Sequence, residues 1–169
     1  MQLITARKRK KEAGLTLVEV MVSLLLLTSG LIPILGVIIS SVALSTRIKN
    51  NLIAANLAQE GVEVVRAIRD KAWFDDAAFD RDLTDGDYLI SWNSDTLTAY
   101  DSNAYVKIDP ATGIYSQAGG IDTIFKRKIN IAKVVSACNC EIKVVSDVTW
   151  TEKGINRAIS VESHLFDWQ

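Results

Sequence analysis

The sequence has little of what enzymes and metal sites are built from. Its only histidine is His164, so no obvious base is present to activate a Ser or Cys nucleophile. A phosphate-binding glycine loop and a metal-ligand motif are both missing, and zinc would need ligands beyond one histidine and two cysteines. We therefore expect a protein that is not an enzyme and that carries no cofactor.

Cysteine is scarce and poorly placed for a structural cross-link. Cys138 and Cys140 are separated by one residue and lie between two predicted strands. A disulfide between them would close a very small ring and so remove little entropy from the unfolded chain. The residues leave two alternatives open, a turn with two free thiols or one strained local disulfide.

Charge is missing over one long stretch. Between Glu12 and Arg47 the only charged residue is Glu19, and residues 20–44 are mostly Val, Leu and Ile. A helix of that length crosses about 30 Å of hydrocarbon. A secretory signal peptide has a shorter apolar region, about 7 to 15 residues, followed by a small-residue cleavage site. The run therefore predicts a transmembrane helix.

Positive charge is concentrated just before this run, in the five residues Arg7, Lys8, Arg9, Lys10 and Lys11. Basic flanks remain on the cytoplasmic side of a membrane. We expect a single-pass orientation with the N-terminus in the cytoplasm and the chain after Arg47 outside.

Glu19 needs an explanation, because a carboxylate at the middle of a membrane helix costs about 2.5 to 3.5 kcal/mol. The cost is smaller near the interface. Glu19 could lie at headgroup depth in the first helical turn, where the helix dipole favours a negative charge by about 0.3 to 1 kcal/mol.

A second explanation comes from the residues around Glu19. The basic leader followed by Gly14-Leu15-Thr16-Leu17-Val18-Glu19 resembles the prepilin cleavage and methylation motif of type IV pilins and type II secretion pseudopilins. The family usually has Phe where Leu15 stands. It often has a proline slightly further along the helix than Pro33, so the place of any helix unwinding stays open.

The resemblance implies a site and a set of partners. A membrane-embedded peptidase would cut between Gly14 and Leu15 and then methylate the new amine of Leu15. The mature chain would assemble with other pilin subunits through the inner-membrane pilus assembly machinery. Glu19 of one subunit could then pair with the Leu15 amine of another, and a buried pair of this kind favours one axial stagger of the helices over others.

Four regions follow from these patterns. We expect a leader over 1–14, a transmembrane and filament-core helix over 15–46, an amphipathic helix half over 47–72 and a globular antiparallel β domain over 73–169. The helix runs from about residue 15 to residue 70, and its small residues between Ala54 and Gly61 predict close packing on the domain's own sheet. The predicted fold class is α+β, a long N-terminal helix packed against a C-terminal antiparallel sheet.

The β domain is predicted from strand and turn patterns. Segments rich in β-branched and aromatic residues predict strands over 88–92, 105–108, 125–135, 142–150 and 157–165. Turn residues separate them at 109–113, 118–120 and 152–154. Along 125–131 the alternation places Phe125, Arg127, Ile129 and Ile131 on a mostly apolar face.

Two charged clusters are candidate binding sites. Asp80, Asp82, Asp85 and Asp87 have the ligand chemistry for calcium, but their spacing does not match an EF-hand, and a solvated loop is the favoured interpretation. The patch Lys126-Arg127-Lys128 could contact DNA phosphates. Removing the five leader cations and Glu12 from 19 basic and 20 acidic residues leaves a mature chain of net charge about −5, which argues against nucleic acid as a partner.

The function these patterns favour is a structural subunit of a type IV pilus or related pseudopilus, held in the membrane before assembly and in a cell-surface filament or pseudopilus afterwards. The acidic loop and a final hairpin that resembles that of minor pilins favour a minor subunit. The alternative is an uncleaved, single-pass membrane protein with an external β-rich binding domain.

Overall fold

The computed structural model describes residues 14–134 and 140–167. The chain forms two compact units, Met1–Thr46 and Arg47–Gln169. Within the described residues a single helix, α1, spans Leu17–Phe74. It begins slightly later than predicted and ends slightly later as well. The strands are, in chain order, β1 Gly86–Leu89, β2 Thr98–Ala99, β3 Lys107–Ile108, β4 Tyr115–Ser116, β5 Ile121–Asp122, β6 Phe125–Lys133, β7 Glu141–Glu152 and β8 Ile155–Phe166.

The strands form two antiparallel sheets in the second unit. The larger sheet has the order β2-β1-β6-β7-β8, and the smaller has the order β4-β3-β5. Strands β7 and β8 pair along their whole length, from Glu141 opposite Phe166 to Glu152 opposite Ile155. The predicted fold class, α+β with a long N-terminal helix packed against an antiparallel sheet, is confirmed.

The long strands follow the predicted pattern, and β3 falls within the predicted strand 105–108, whereas the other short strands depart from it. On β6 the buried residues are Phe125, Arg127, Ile129 and Ile131, as the alternation predicts. The first predicted strand is wrong at its end, because β1 stops at Leu89 and the amide of Ser91 donates to Ser94 Oγ at 2.8 Å, which turns the chain. Strands β2, β4 and β5 were not predicted, since a two-residue strand has no measurable alternation.

The hairpin between β7 and β8 turns at the predicted place. Lys153 and Gly154 both have positive φ, 51° and 78°. Left-handed conformations at both central residues match the twist of two-residue hairpins. The long pairing of β7 with β8 is therefore set by this turn as well as by the alternation of apolar residues along β7.

Close contact between helix and sheet is made in the second unit. A Cβ placed on Gly61 would lie 2.6 Å from Ile129 Cδ1 and 2.7 Å from Ser146 Oγ, so only glycine lets the helix backbone approach the sheet here. Ala54, Leu57 and Ala58 are also buried in this part of the helix. The predicted packing of the small-residue segment on the chain's own sheet is confirmed.

Candidate processing and assembly site

The residues around the predicted cleavage point lie immediately before α1. Gly14, Leu15 and Thr16 are exposed and outside regular structure, and a Cβ added to Gly14 would meet nothing within 4 Å. Leu15 is 73% exposed. The Gly14–Leu15 peptide bond is therefore not part of the helix, and no described side chain crowds Gly14.

Thr16 caps the helix. Its Oγ1 accepts a hydrogen bond from the backbone N–H of Glu19 at 3.2 Å, and its carbonyl accepts from the N–H of Val20 at 3.1 Å. This is the first half of a capping box, in which Ser or Thr stands three residues before Glu. This capping role of Thr16 was not predicted, although the Thr-x-x-Glu spacing indicates it.

Glu19 stands in the first turn of α1 with an exposed side chain. At this position the carboxylate lies near the positive end of the helix dipole. The Glu19 side chain makes no hydrogen bond or ion pair within the described residues. No described group therefore competes with an intermolecular partner for this carboxylate.

The helix that follows is apolar on all sides. Every large apolar side chain from Leu15 to Leu44 is at least 43% exposed. This segment is long and apolar enough to cross a membrane, and its most apolar stretch is entirely unburied. It is a membrane-anchoring helix in composition and length, since only lipid or another apolar surface can cover such a side-chain array.

The polar side chains in this segment bond to their own helix. Thr28 Oγ1 donates to the carbonyl of Leu24 at 2.9 Å, and Ser29 Oγ donates to the carbonyl of Leu26 at 2.9 Å. Such back-bonding satisfies hydroxyls in an apolar medium. The helix also continues through Pro33, so the structure has no unwound segment at this proline.

The four aspartates considered for calcium are each engaged elsewhere. Asp80 accepts from Lys133 Nζ at 2.7 Å, and Asp85 accepts from the backbone N–H of Lys133 at 2.7 Å. Asp82 pairs with Arg81 at 2.9 Å, and Asp87 accepts from Asn130 Nδ2 at 2.8 Å. No group of three or more metal-ligating side chains is found among the described residues.

The basic patch on β6 is divided between two faces of the sheet. Arg127 is 1% exposed and faces the helix, whereas Lys126 and Lys128 are on the opposite face. Arg127 Nη1 donates to Glu60 Oε1 at 2.8 Å and to the carbonyl of Leu57 at 3.0 Å, and Nη2 donates to the carbonyl of Ile90. Arg127 is therefore unavailable to DNA, and it joins the helix to the sheet.

The remaining lysines of that patch also have partners. Lys126 Nζ donates to the carbonyl of Ser102 at 2.8 Å and lies 4.5 Å from the centre of the Tyr105 ring. Lys128 Nζ is 3.7 Å from Asp87. Two lysines with existing partners give no strong site for phosphates.

His164 lies on β8 between two carboxylates. Its Nδ1 is 2.5 Å from Glu141 Oε1 and its Nε2 is 3.0 Å from Glu162 Oε1. The hydrogen bonds to Glu162 and then to Glu141 raise the pKa of His164 above its ordinary value. The neighbouring Cys140 is disulfide-bonded, which excludes a free thiol there, and Cys138 lies outside the described residues.

Comparison with known proteins identifies the N-terminal segment. A family model described as the prokaryotic N-terminal methylation motif matches residues 9–35, which include Gly14, Leu15, Glu19 and Pro33. No curated protein and no solved structure matches the chain. The motif and the apolar helix that follows it are those of a type IV pilin-like precursor, and the family that carries this motif is structural. This match supports the similarity of the N-terminal segment to the N-terminal segments of type IV pilin and pseudopilin precursors.

Proposed function

We propose that this protein is a structural subunit, of the minor class, of a type IV pilus or a related pseudopilus. The observation that carries the proposal is the methylation motif joined directly to a helix whose apolar half is unburied. A subunit that passes from lipid into a helical bundle needs such a surface. The acidic loop and the β7–β8 hairpin support the minor class.

Processing is the first step of the proposed mechanism. A peptidase of the pilus system cuts between Gly14 and Leu15, and the new amine of Leu15 becomes methylated. The cut removes the five leader cations, which could not enter an apolar filament core without a large desolvation cost. The exposed, non-helical conformation of Gly14 and Leu15 supports cleavage at this bond, because a peptidase needs access to the backbone.

Assembly then uses Glu19. Once the chain is cut, Leu15 bears a positive amine at the edge of an apolar helix, and Glu19 bears a negative charge one turn later. Each charge opposes burial by itself, and breaking a buried ion pair costs about 3 to 5 kcal/mol. Pairing the Leu15 amine of one subunit with Glu19 of another removes that penalty at one axial stagger only. The pair would therefore set the register of neighbouring helices.

The location follows from the same features. Before assembly the helix anchors the subunit in the membrane with its N-terminus in the cytoplasm and the second unit outside. After processing the subunit is drawn by the inner-membrane assembly machinery into a surface filament or pseudopilus. Other pilin subunits replace lipid as the cover of the apolar helix.

Mass spectrometry of the N-terminus tests processing. The protein is recovered from its native membrane and from sheared surface filaments, and the first residue is identified. We expect an N-methylated Leu15 in both fractions, and we expect Gly14→Val to leave the leader in place. An intact Met1 in cells with an active peptidase would overturn the proposal and favour the uncleaved, membrane-anchored alternative.

Substitution of Glu19 tests the register mechanism separately. We expect Glu19→Ala to be cleaved normally but to be lost from the filament fraction by at least about tenfold, because the Leu15 amine would then be buried unpaired. Glu63→Ala is the matched control, since it removes an exposed carboxylate from the same helix. Equal incorporation of the two variants would contradict the pairing of Glu19.

A further inference from the structure

Trp92 is an exposed indole at the edge of a cavity in the second unit. The side chain is 51% exposed, and the cavity beside it has a volume of about 380 Å³. Exposure of so large an apolar ring is unfavourable, and tryptophan is on average well buried. The indole of Trp92 makes no hydrogen bond or ring contact within the described residues, so its exposed half is available to a ligand.

The loops that form the cavity are held by their own hydrogen bonds. Ser94 N donates to the carbonyl of Ser91 at 3.0 Å, and Ser91 Oγ accepts from the N–H of Gln117 at 2.8 Å, which ties the Trp92 loop to the end of β4. On the other side, Gly120 has a φ of 98°, and a Cβ there would collide with the carbonyl of Ile108. The cavity is therefore formed before any ligand arrives, which lowers the entropic cost of binding.

Of the described residues that line the cavity, Asp109 is the only charged one. Its Oδ1 accepts from the N–H of Ala111 at 2.9 Å, and its Oδ2 accepts from Thr112 Oγ1 at 2.8 Å. These bonds, that to Ala111 above all, hold the pKa of Asp109 below its ordinary value. The backbone N–H of Thr112 is a third donor to this carboxylate. The carboxylate stays ionised, and because it has about four acceptor positions, one remains for a ligand.

Asn93 adds a second polar group with unused capacity. Asn93 also lines the cavity, and its side-chain amide makes no hydrogen bond within the described residues. The amide can both donate and accept. Residues that carry an aromatic ring, a carboxylate with one free acceptor position and an amide without a partner in the described residues therefore meet at one preformed cavity.

The charge of the cavity restricts its ligand. Among the described residues neither Lys nor Arg lines it, and the ionised Asp109 repels phosphates, nucleic acids and acidic sugars. A purely apolar ligand would leave the Asn93 amide and the remaining acceptor position of Asp109 unpaired, at a desolvation cost. A ligand with one apolar face and several neutral hydroxyl groups satisfies all three side chains, and a volume near 380 Å³ falls in the range of small-ligand sites.

We propose that the Trp92 cavity binds one neutral sugar residue of a glycan. The C–H face of the sugar ring packs on the indole of Trp92, one hydroxyl group donates to the Asp109 carboxylate, and the Asn93 amide bonds another. All residues of this site lie in the second unit, whereas the proposed processing and assembly use residues of the first unit. The two proposals can therefore be tested separately.

Saturation-transfer NMR tests the site with the full chain. The chain is kept in a polyoxyethylene detergent, since alkyl glycosides would themselves present a sugar. The probes are the methyl glycosides of glucose, galactose, mannose and N-acetylglucosamine, with tetramethylammonium as a cationic probe. We expect transfer to the ring C–H protons of at least one sugar, with a Kd of about millimolar for so small a ligand.

Three variants sharpen the test. We expect Trp92→Ala to weaken binding at least about tenfold and Asn93→Ala to weaken it severalfold, while Phe74→Ala, which removes an aromatic ring 90% exposed outside the cavity, leaves it unchanged. Circular dichroism confirms that each variant is folded. Absence of transfer to all four sugars, transfer to tetramethylammonium alone, or full binding by Trp92→Ala would each overturn the proposal.

Discussion

The two parts of α1 are both rich in aliphatic residues but use them differently. In the part that belongs to the first unit, no large apolar side chain is buried. In the part after Arg47 the helix buries ten residues, namely Ala54, Leu57, Ala58, Gly61, Val62, Val64, Val65, Ile68, Arg69 and Ala72. Burial along this helix is therefore decided by the availability of a partner surface, and among the described residues the more apolar part is the one without such a surface.

The glycines of α1 show the same contrast. A Cβ added to Gly30 or Gly36 would meet nothing within 4 Å, whereas one added to Gly61 would collide with β6 and β7. Glycine weakens a helix by about 0.5 to 1 kcal/mol relative to alanine. At Gly61 this cost is offset inside the fold by close contact between helix and sheet.

The largest effect is expected from removal of the buried link between helix and sheet. Arg127→Ala should lower the free energy of unfolding by about 3 to 5 kcal/mol, because the carbonyls of Leu57 and Ile90 lose their donor and Glu60 loses its partner. Urea unfolding of the full chain in detergent, followed by circular dichroism, measures the change.

Lys128→Ala is the matched control for Arg127. Lys128 lies on the same strand but on the opposite face, and its pair with Asp87 is long and partly exposed. A surface substitution of this kind changes stability by at most about 0.5 kcal/mol. If the two variants unfolded at the same urea concentration, the buried contacts of Arg127 would contribute no more to stability than the exposed pair of Lys128.

The next effect separates the two parts of the helix directly. Gly61→Val should lower the free energy of unfolding by about 1 to 3 kcal/mol through overpacking against Ile129 and Ser146. Gly30→Val should cause no loss, because there is open space around it and valine has a better helix propensity than glycine. The same urea titration compares both variants. Equal losses of stability would contradict the contrast between Gly61, which contacts the sheet, and Gly30, which does not.

A smaller effect is expected from His164, and it depends on pH. The folded-state pKa of His164 is raised above 6.5, mainly by Glu162. The protonated form therefore stabilises the fold below pH 6.5. This contribution is lost as pH rises through the raised pKa. The pKa of Glu162 is lowered from 4.5, mainly by Lys143 and then by His164, so its contribution is present above 4.5 and is lost as pH falls through the lowered value.

The pH window for this test lies between those two ordinary values. We expect the Tm of the parent to exceed that of His164→Gln most between about pH 5 and 6.5, and the difference to disappear in mildly alkaline solution. Thermal melts of both proteins across the pH range measure it. A difference that stayed constant with pH would show that His164 contributes through packing alone.

The smallest effect is expected from calcium. Because Asp80, Asp82, Asp85 and Asp87 already have protein partners, added Ca²⁺ or a chelator should not shift the Tm of the parent. Thermal melts in millimolar Ca²⁺ and in chelator test this. A rise in Tm that disappears in the Asp85→Asn variant would show that a calcium site forms despite these contacts.

The sequence by itself determined the features that depend on one segment alone. The cleavage motif, the transmembrane run, the alternation along β6 and the turn at Lys153 and Gly154 all follow from residues close together in the chain. Local geometry and transfer from water to an apolar medium are enough to specify them.

Only the tertiary structure decided the features that join distant segments. The sequence placed Arg127 on a mostly apolar face but could not show that Glu60, Leu57 and Ile90 surround its guanidinium. The two-residue strands exist because neighbouring segments pair with them, and the Trp92 cavity exists because residues near 92, 109 and 118 meet. Such contacts depend on the closure of long loops, and no local pattern records which loops close.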